Sequence, residues 1–399
     1  MALSAAQEAL AKWLEENPRN FQQIIDLRVK EVLLRNSDAI LNRFMPLTTT
    51  NDLDIVTAKF RGPFDMRASV VAFDGDLPTK RPNSGQVEYQ NFTNIKHGLQ
   101  DHWGEQDIID ATRAAAGFAA ATGDFARAMQ AAFARHLLPR VENYPQYCLN
   151  SLESITWEAL YSGQFTWNDS QDSVGNYTRS YGASPTQFRA YVPAEDWSNV
   201  ATPGLSIIEQ ELDTAYARAG RYPKALVLQQ REVRDLLKQT ETKDRITAML
   251  GYALNPGQVS NFFVDRAMVQ DYLTRYTNSN GVELLVMADK REDIDRSGNG
   301  FVYDLIPKGK AVFLWDSEVR LEGQNFFAGE IAESKFMGGT GSRVIGPHPS
   351  NGMRPGFFIN NRVDRQSDPF RAELSCSVVA IPYIPNPELL QSFSPGNPV

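Results

Sequence analysis

Two β-prone runs, TAKFRGPFDMRASVVAF from Thr57 and QVEYQNFTNIKH up to His97, are separated by DGDLPTKRPNSG, a stretch packed with turn formers. This pattern predicts a long hairpin over residues 57–97, in which Met66–Phe73 pairs with Val87–Ile95. The tip, Asp74–Gln86, has only Phe73, Leu77 and Val87 near it as apolar anchors. A polar loop of about a dozen residues cannot bury itself in its own domain, and a two-stranded ribbon alone is marginal in water. The hairpin is therefore expected to project and to need another surface to lie on.

With 399 residues the chain is long enough for two or three domains. Ahead of the hairpin, Ser4 and Gln7 form a capping-box pattern for a short helix carrying Leu10, Trp13 and Leu14 and ending before Pro18. Over residues 21–45, Phe21, Ile24, Ile25, Val29, Val32, Leu33, Ile40, Leu41 and Phe44 recur at intervals of three and four and predict an amphipathic helix. From Asp107 an Ala-rich helical stretch, broken once at Thr122 to Asp124, is expected to stop at Pro139. A further helix from about Pro145 places Leu149, Leu152, Ile155, Ala159 and Leu160 on one side and closes at Gly163.

Residues 164–204 read as polar and irregular, with short strands at QFTWN and FRAYV, and a boundary falls at Pro203 and Gly204. Leu205, Ile208, Leu212 and Tyr216 then predict a helix ending near Gly220, followed by the buried strand ALVLQ and the helix REVRDLLKQ. GVELLVMA and AVFLW read as further strands, with REDIDRSGNG as a turn and DLIPKGK as a connector. Residues 323–369, rich in Gly and Pro, are expected to be loops that need partners. No internal repeat is evident.

The composition, 42% hydrophobic and 22% charged, is that of a globular chain. A formal charge of −8 without a long basic block argues against sequence-specific DNA binding. Cys148 and Cys376, the only cysteines, read as two buried free thiols in a reducing compartment. Acidic residues and the lack of an apolar core in residues 1–20 argue against a signal peptide, and no run approaches the length of a membrane span, so a cytoplasmic protein without membrane contact is expected.

No catalytic or metal residue emerges, and no cofactor is expected. Asp293, Asp295, Ser297 and Gly298 with Asp304 copy a calcium loop, but β-prone runs flank them and Asp304 is shorter than the usual bidentate Glu, so the stretch reads as a solvated turn. His97 and His102 lie five apart, on different faces of a helix, and lack zinc-chelating spacing. Glu153 and Glu158 read as the solvated edge of an apolar stripe. Met337 to Ser342 is Gly-rich but lacks the P-loop lysine and reads as a flexible turn.

Four stretches, taken in order, nevertheless resemble the lambda-type major capsid proteins of tailed phages, the capsid E family. LNSLESITWEALYSGQFTWND resembles the family's spine helix, with Glu153, Ala159, Leu160 and Gly163 in the matching places. LSIIEQELDTAYARAGRYPKALVLQQREVRDLLKQ is similar to a helix, strand and helix of the axial domain. VELLVMADKRED with YDLIPKGKAVFLWD resembles paired strands ending in an exposed turn, here Pro307, Lys308, Gly309 and Lys310. SCSVVAIPYIPNPELLQSF is similar to the closing strand, with Pro382, Pro385, Asn386 and Pro387 in its proline run.

The resemblance implies an α+β chain with the Hong Kong 97-type capsid fold. Its parts are an N-terminal arm (1–56), an extended loop (57–100), a peripheral domain with the spine helix (101–200 and 371–399) and an axial domain (201–370). It implies a non-enzymatic subunit that assembles with itself into the hexamers and pentamers of an icosahedral shell. Implied partners are a scaffolding protein, a portal, an optional decoration protein and packaged double-stranded DNA held non-specifically. Contacts between subunits are then expected at Lys80 and Arg81 of the hairpin tip and at Ile24, Ile25, Val32 and Leu33 of the arm. An encapsulin-type compartment and an enzyme of unfamiliar α+β fold are the competing readings.

Overall fold

The computed structural model describes residues 7–8, 10–12, 23, 40–52, 54–61, 86–103, 105–122, 125–167, 177–251, 262–278, 281–287, 290–294, 300–316, 339–364 and 371–397. The chain is α+β. The expected strand Met66–Phe73, Lys80, Arg81, Ile24, Ile25, Val32 and Leu33 all lie outside these residues.

Helix α1 (Ile40–Phe44) leads into strand β1 (Leu47–Thr49), then β2 (Asp54–Arg61), β3 (Gln86–Thr93) and β4 (Ile95–Trp103). β2 and β3 pair antiparallel, from Asp54 opposite Thr93 to Arg61 opposite Gln86. The hairpin is thus present, with Val87–Thr93 paired to Asp54–Phe60, and Met66–Phe73 lies outside the described residues. Gln86 belongs to a strand and not to the tip. Ile95 opens the next strand, so His97 and His102 sit on a strand and not on a helix. Their odd separation puts them on opposite faces, with His97 buried and His102 exposed beside Glu373.

Helices α2 (Glu105–Thr122) and α3 (Phe125–Ser162) follow. α3 runs unbroken through Pro139 and Pro145 for 38 residues, about 57 Å at 1.5 Å per residue, which corrects the expected interruption. Each proline still removes one backbone donor. Tertiary anchoring between them keeps the helix running: Tyr144 Oη donates to Asp101 Oδ2 at 2.6 Å, and Arg140 bridges Asp101 at 2.5 Å and Asp107 at 2.9 Å. The Asn143 side-chain amide also donates to the Pro139 carbonyl at 3.1 Å.

Past α3, β5 (Gln164–Trp167) pairs with β6 (Tyr177–Ser180). FRAYV forms no strand; Phe188 makes a single bridge to Ser392. The next unit comprises α4 (Gly204–Ala219), β7 (Ala225–Gln229), α5 (Gln230–Lys238), α6 (Thr240–Met249), α7 (Arg266–Tyr276) and β8 (Glu283–Met287). Strands β9 (Lys290–Ile294) and β10 (Gly300–Asp304) form a hairpin, so the first half of the stretch expected to be a turn is strand. β11 (Ala311–Leu314) returns to the second sheet, where it lies beside β7, itself paired with β8.

The expected loop region 323–369 contains β12 (Ser342–Ile345), β13 (Pro347–His348), β14 (Arg354–Pro355) and β15 (Phe357–Asp364). β12 and β15 pair with β16 (Arg371–Tyr383), so residues 342–345 and 357–364 join the first sheet although the expected division grouped them with 201–370. β17 (Ser392–Phe393) in turn pairs with β11 of the second sheet. Gly341, in the turn expected to be flexible, is tightly held. Gly341 has a φ of 147° and lies where a Cβ would overlap the Tyr383 carbonyl, and buried Thr340 hydrogen-bonds the Trp315 backbone.

Two apolar cores result. In the first, α2 and α3 pack on the β4-β16-β15 face through Trp103, Ile108, Phe133, Leu152, Trp157 and Leu374. In the second, α4 to α7 cover the smaller sheet through Ile208, Leu212, Leu236, Ile246, Leu273 and Phe313. β7 lies between them: Ala225 and Val227 enter the first core, while Leu226 and Leu228 enter the second. Burial on both faces explains its continuous apolar run.

Gly163 ends α3 as expected. At a φ of 73° its N–H donates to the Ala159 carbonyl at 2.9 Å, and an added Cβ would lie 2.5 Å from the Phe188 ring. Gly163→Ala is therefore expected to lower the unfolding free energy by roughly 2 kcal/mol or more in urea titrations. An unchanged midpoint would contradict this account of the helix end.

Candidate functional site

Of the residues singled out from sequence, Glu153 and Leu160 lie in the C-terminal half of α3, Gly163 follows its end, and Pro382, Pro385, Asn386 and Pro387 lie in the C-terminal segment. Leu160 is fully buried in the first core. Glu153 does more than mark a solvated edge: its charge acts on Arg343, which is buried in β12 and donates to the Met45 carbonyl at 2.9 Å and to Asn42. Burial lowers the Arg343 pKa to about 10, and Glu153 opposes that shift. These contacts bring residues 42–45, β12 and α3 together.

Pro382, Pro385, Asn386 and Pro387 run beneath residues 181–197. Tyr181 Oη donates to the Pro382 carbonyl at 2.6 Å, and Gln187 Nε2 donates to the Pro387 carbonyl at 2.8 Å. The Asn386 carbonyl accepts from the Leu389 N–H at 3.0 Å and closes a short turn. Farther on, Gln391 Nε2 reaches Glu211 Oε2 at 2.8 Å, and Arg189 meets Glu211 at 3.0 Å as well as Glu195. This network left no signal to read in advance, because its members are scattered over about 200 positions and none stands in a motif.

The turn from Pro307 to Lys310 is present, with the Lys310 N–H donating to the Pro307 carbonyl at 3.2 Å. It is only partly exposed, which corrects the expectation. Lys308 faces solvent, but Gly309 is buried, donates to Glu232 Oε1 at 2.9 Å and packs where a Cβ would overlap the Gly396 carbonyl.

Two buried histidines flank the central strand. His97 Nδ1 lies 2.9 Å from Ser151 Oγ on α3, and its Nε2 lies 3.3 Å from the Ala380 carbonyl. His348 accepts from the Ser350 N–H through Nδ1 at 3.2 Å, so its proton sits on Nε2, 2.9 Å from Ser377 Oγ. Burial holds both below the usual histidine range, His97 at about 4. These are satisfied structural histidines. Among the described residues no group of three or more His, Cys, Asp or Glu side chains is arranged to hold a metal ion. Asp295, Ser297 and Gly298 of the calcium-like stretch lie outside the described residues. Among those residues no helix is long and apolar enough to cross a membrane.

No protein-family model and no curated protein sequence matches the chain. Solved structures with a similar chain path include a candidate capsid protein of a prophage from E. coli CFT073 (10% identity, 89% of this chain and 92% of that one, TM-score 0.47). Another is the capsid of Myoviridae phage XM1 (11% identity, 88% and 90%, TM-score 0.41). A third is the SrpI encapsulin of Synechococcus elongatus PCC 7942 (10% identity, 89% and 86%, TM-score 0.36). Likeness at this level does not carry function from one chain to another.

The buried His97 gives the fold a defined acid response. Between about pH 6.5 and pH 4 the unfolded chain takes up a proton at this position that the folded chain does not, so stability is lost as pH falls through that window. His97→Gln should destabilise most at neutral pH, with the gap to the parent shrinking by up to about 3 kcal/mol by pH 4. Denaturant titrations of the pair at several pH values would contradict this if the gap stays constant.

Proposed function

We propose that the chain is the major capsid (head) protein of a tailed double-stranded DNA phage, built on the Hong Kong 97-type plan and assembling into the hexamers and pentamers of an icosahedral shell. The observation that carries the reading is the β2–β3 ribbon, whose strands pair only with each other among the described residues. Such a ribbon is marginal in isolation, so a neighbouring subunit supplies its missing surface. The rest of the architecture suits a shell wall: a 38-residue helix braces a five-stranded sheet, and the second core is fused to the first through β7.

In this reading residues 57–100 form the extended loop, with Lys80 and Arg81 meeting carboxylates of a neighbour, and residues 1–56 form an arm using Ile24, Ile25, Val32 and Leu33. The first sheet with α3 is the peripheral domain, and the second sheet with its helices is the axial domain. The formal charge of −8 favours a DNA container, since a strongly basic wall would grip the packaged polyanion. A scaffolding protein and a portal act during assembly in the host cytoplasm, and the mature chain resides in the virion. No catalytic step is assigned.

Electron microscopy and sedimentation of the purified full-length protein test this directly. Rings or closed shells are expected; a stable monomer at high concentration would overturn the proposal. Deleting residues 75–85 and closing the hairpin with Asn-Gly should leave a folded, soluble protein that makes no stable shells. Normal shells from that variant would remove the ribbon from the assembly.

A further inference from the structure

Cys148 and Cys376 are 228 positions apart, yet the fold places them together at the centre of the interface between α3 and the first sheet. Cys376 lies in the middle of β16, opposite Leu99 on one side and Ile359 on the other. Cys148 lies on the sheet-facing side of α3, and its thiol points at the Cys376 carbonyl, with Sγ 3.7 Å from that oxygen. Both residues are free thiols and almost fully buried.

We infer that Cys148 and Cys376 form a latent redox pair, which a small-molecule disulfide such as oxidised glutathione closes into an internal cross-link welding α3 to β16. This holds whether or not the chain builds a shell. In a reducing solution the pair remains as the two thiols of the structure. In a solution rich in small disulfides, a thiolate of the pair attacks the glutathione disulfide, forms a mixed disulfide and releases one glutathione. The second cysteine, as its thiolate, then attacks the protein-bound sulfur and expels the second glutathione. Overall, two thiols and one glutathione disulfide become one protein disulfide and two glutathione thiols, which take up the two protons.

The approach of Cys148 Sγ to within 3.7 Å of the Cys376 carbonyl holds the two side chains in one place and favours the second step. Burial limits the first step, which requires local opening of the helix from the sheet. A side-chain hydrogen bond with Cys148, burial and the charge of a Cys148 thiolate each favour the protonated form of Cys376 and push its thiol up.

The test equilibrates the full-length protein in buffers of reduced and oxidised glutathione, starting from both the reduced and the oxidised chain. Acid quenching, alkylation and peptide mass spectrometry then read the products. The folded chain is expected to yield the Cys148–Cys376 linked peptide at an effective concentration at least about tenfold above that of the urea-unfolded chain. Cys148→Ser and Cys376→Ser should each yield at most one glutathione adduct and no internal bridge. Glutathione adducts alone on the parent would overturn the inference. So would an effective concentration no higher than in urea, or a folded chain that stays reduced at ratios that oxidise the unfolded one.

Discussion

The structure hangs on its C-terminal segment. As β16, residues Arg371–Tyr383 form the centre of the first sheet, paired with β4 along one edge and with β15 and then β12 along the other. The same segment then passes beneath residues 181–197 and enters the second sheet as β17, beside β11. There Phe393 packs between Trp197 and Phe313, with ring centroids 5.9 and 5.7 Å away. Strands β4, β12 and β15, contributed from positions 95 to 364, therefore find their register on β16. Most of these pairings are non-local, and such pairings form slowly because long loops must close first.

Local signals were legible wherever one residue type has few physical uses. Gly163 and Gly220 cap helices in the left-handed region, and the apolar stripe from Leu149 to Leu160 is buried as its spacing predicts. ALVLQ reads as a buried strand because both its faces are covered. Local reading failed where tertiary contacts outweighed local preference. Pro139 and Pro145 look like helix breakers, but Asp101 holds the turn between them through Arg140 and Tyr144. Strands β12 and β15 lie in Gly- and Pro-rich sequence, and their pairing partner begins several residues later. The adjacency of Cys148 and Cys376 follows from packing across 228 positions and leaves no trace in spacing.

Charge is used inside this fold to fix alignment. Arg343 is buried between residues 42–45 and α3 and answered by Glu153, and Arg189 ties Glu195 and Glu211 to the segment carrying Gln391. Desolvation takes back much of what such pairs gain, but removing one partner strands the other. Their effect is to specify which surfaces meet. That specification adds to what the apolar cores supply, since cores alone tolerate repacking.

Hydrogen exchange of the full-length chain with Phe393→Ala tests most directly whether the C-terminal segment couples the two cores. Truncation of this ring removes the contact with Trp197 and Phe313. Faster exchange is predicted across β11, β7 and the backbone donors of Arg189 and Trp197 that bond to residues 392 and 395. Exchange that changes only within residues 390–395, with β11 and β7 as protected as in the parent, would contradict that coupling.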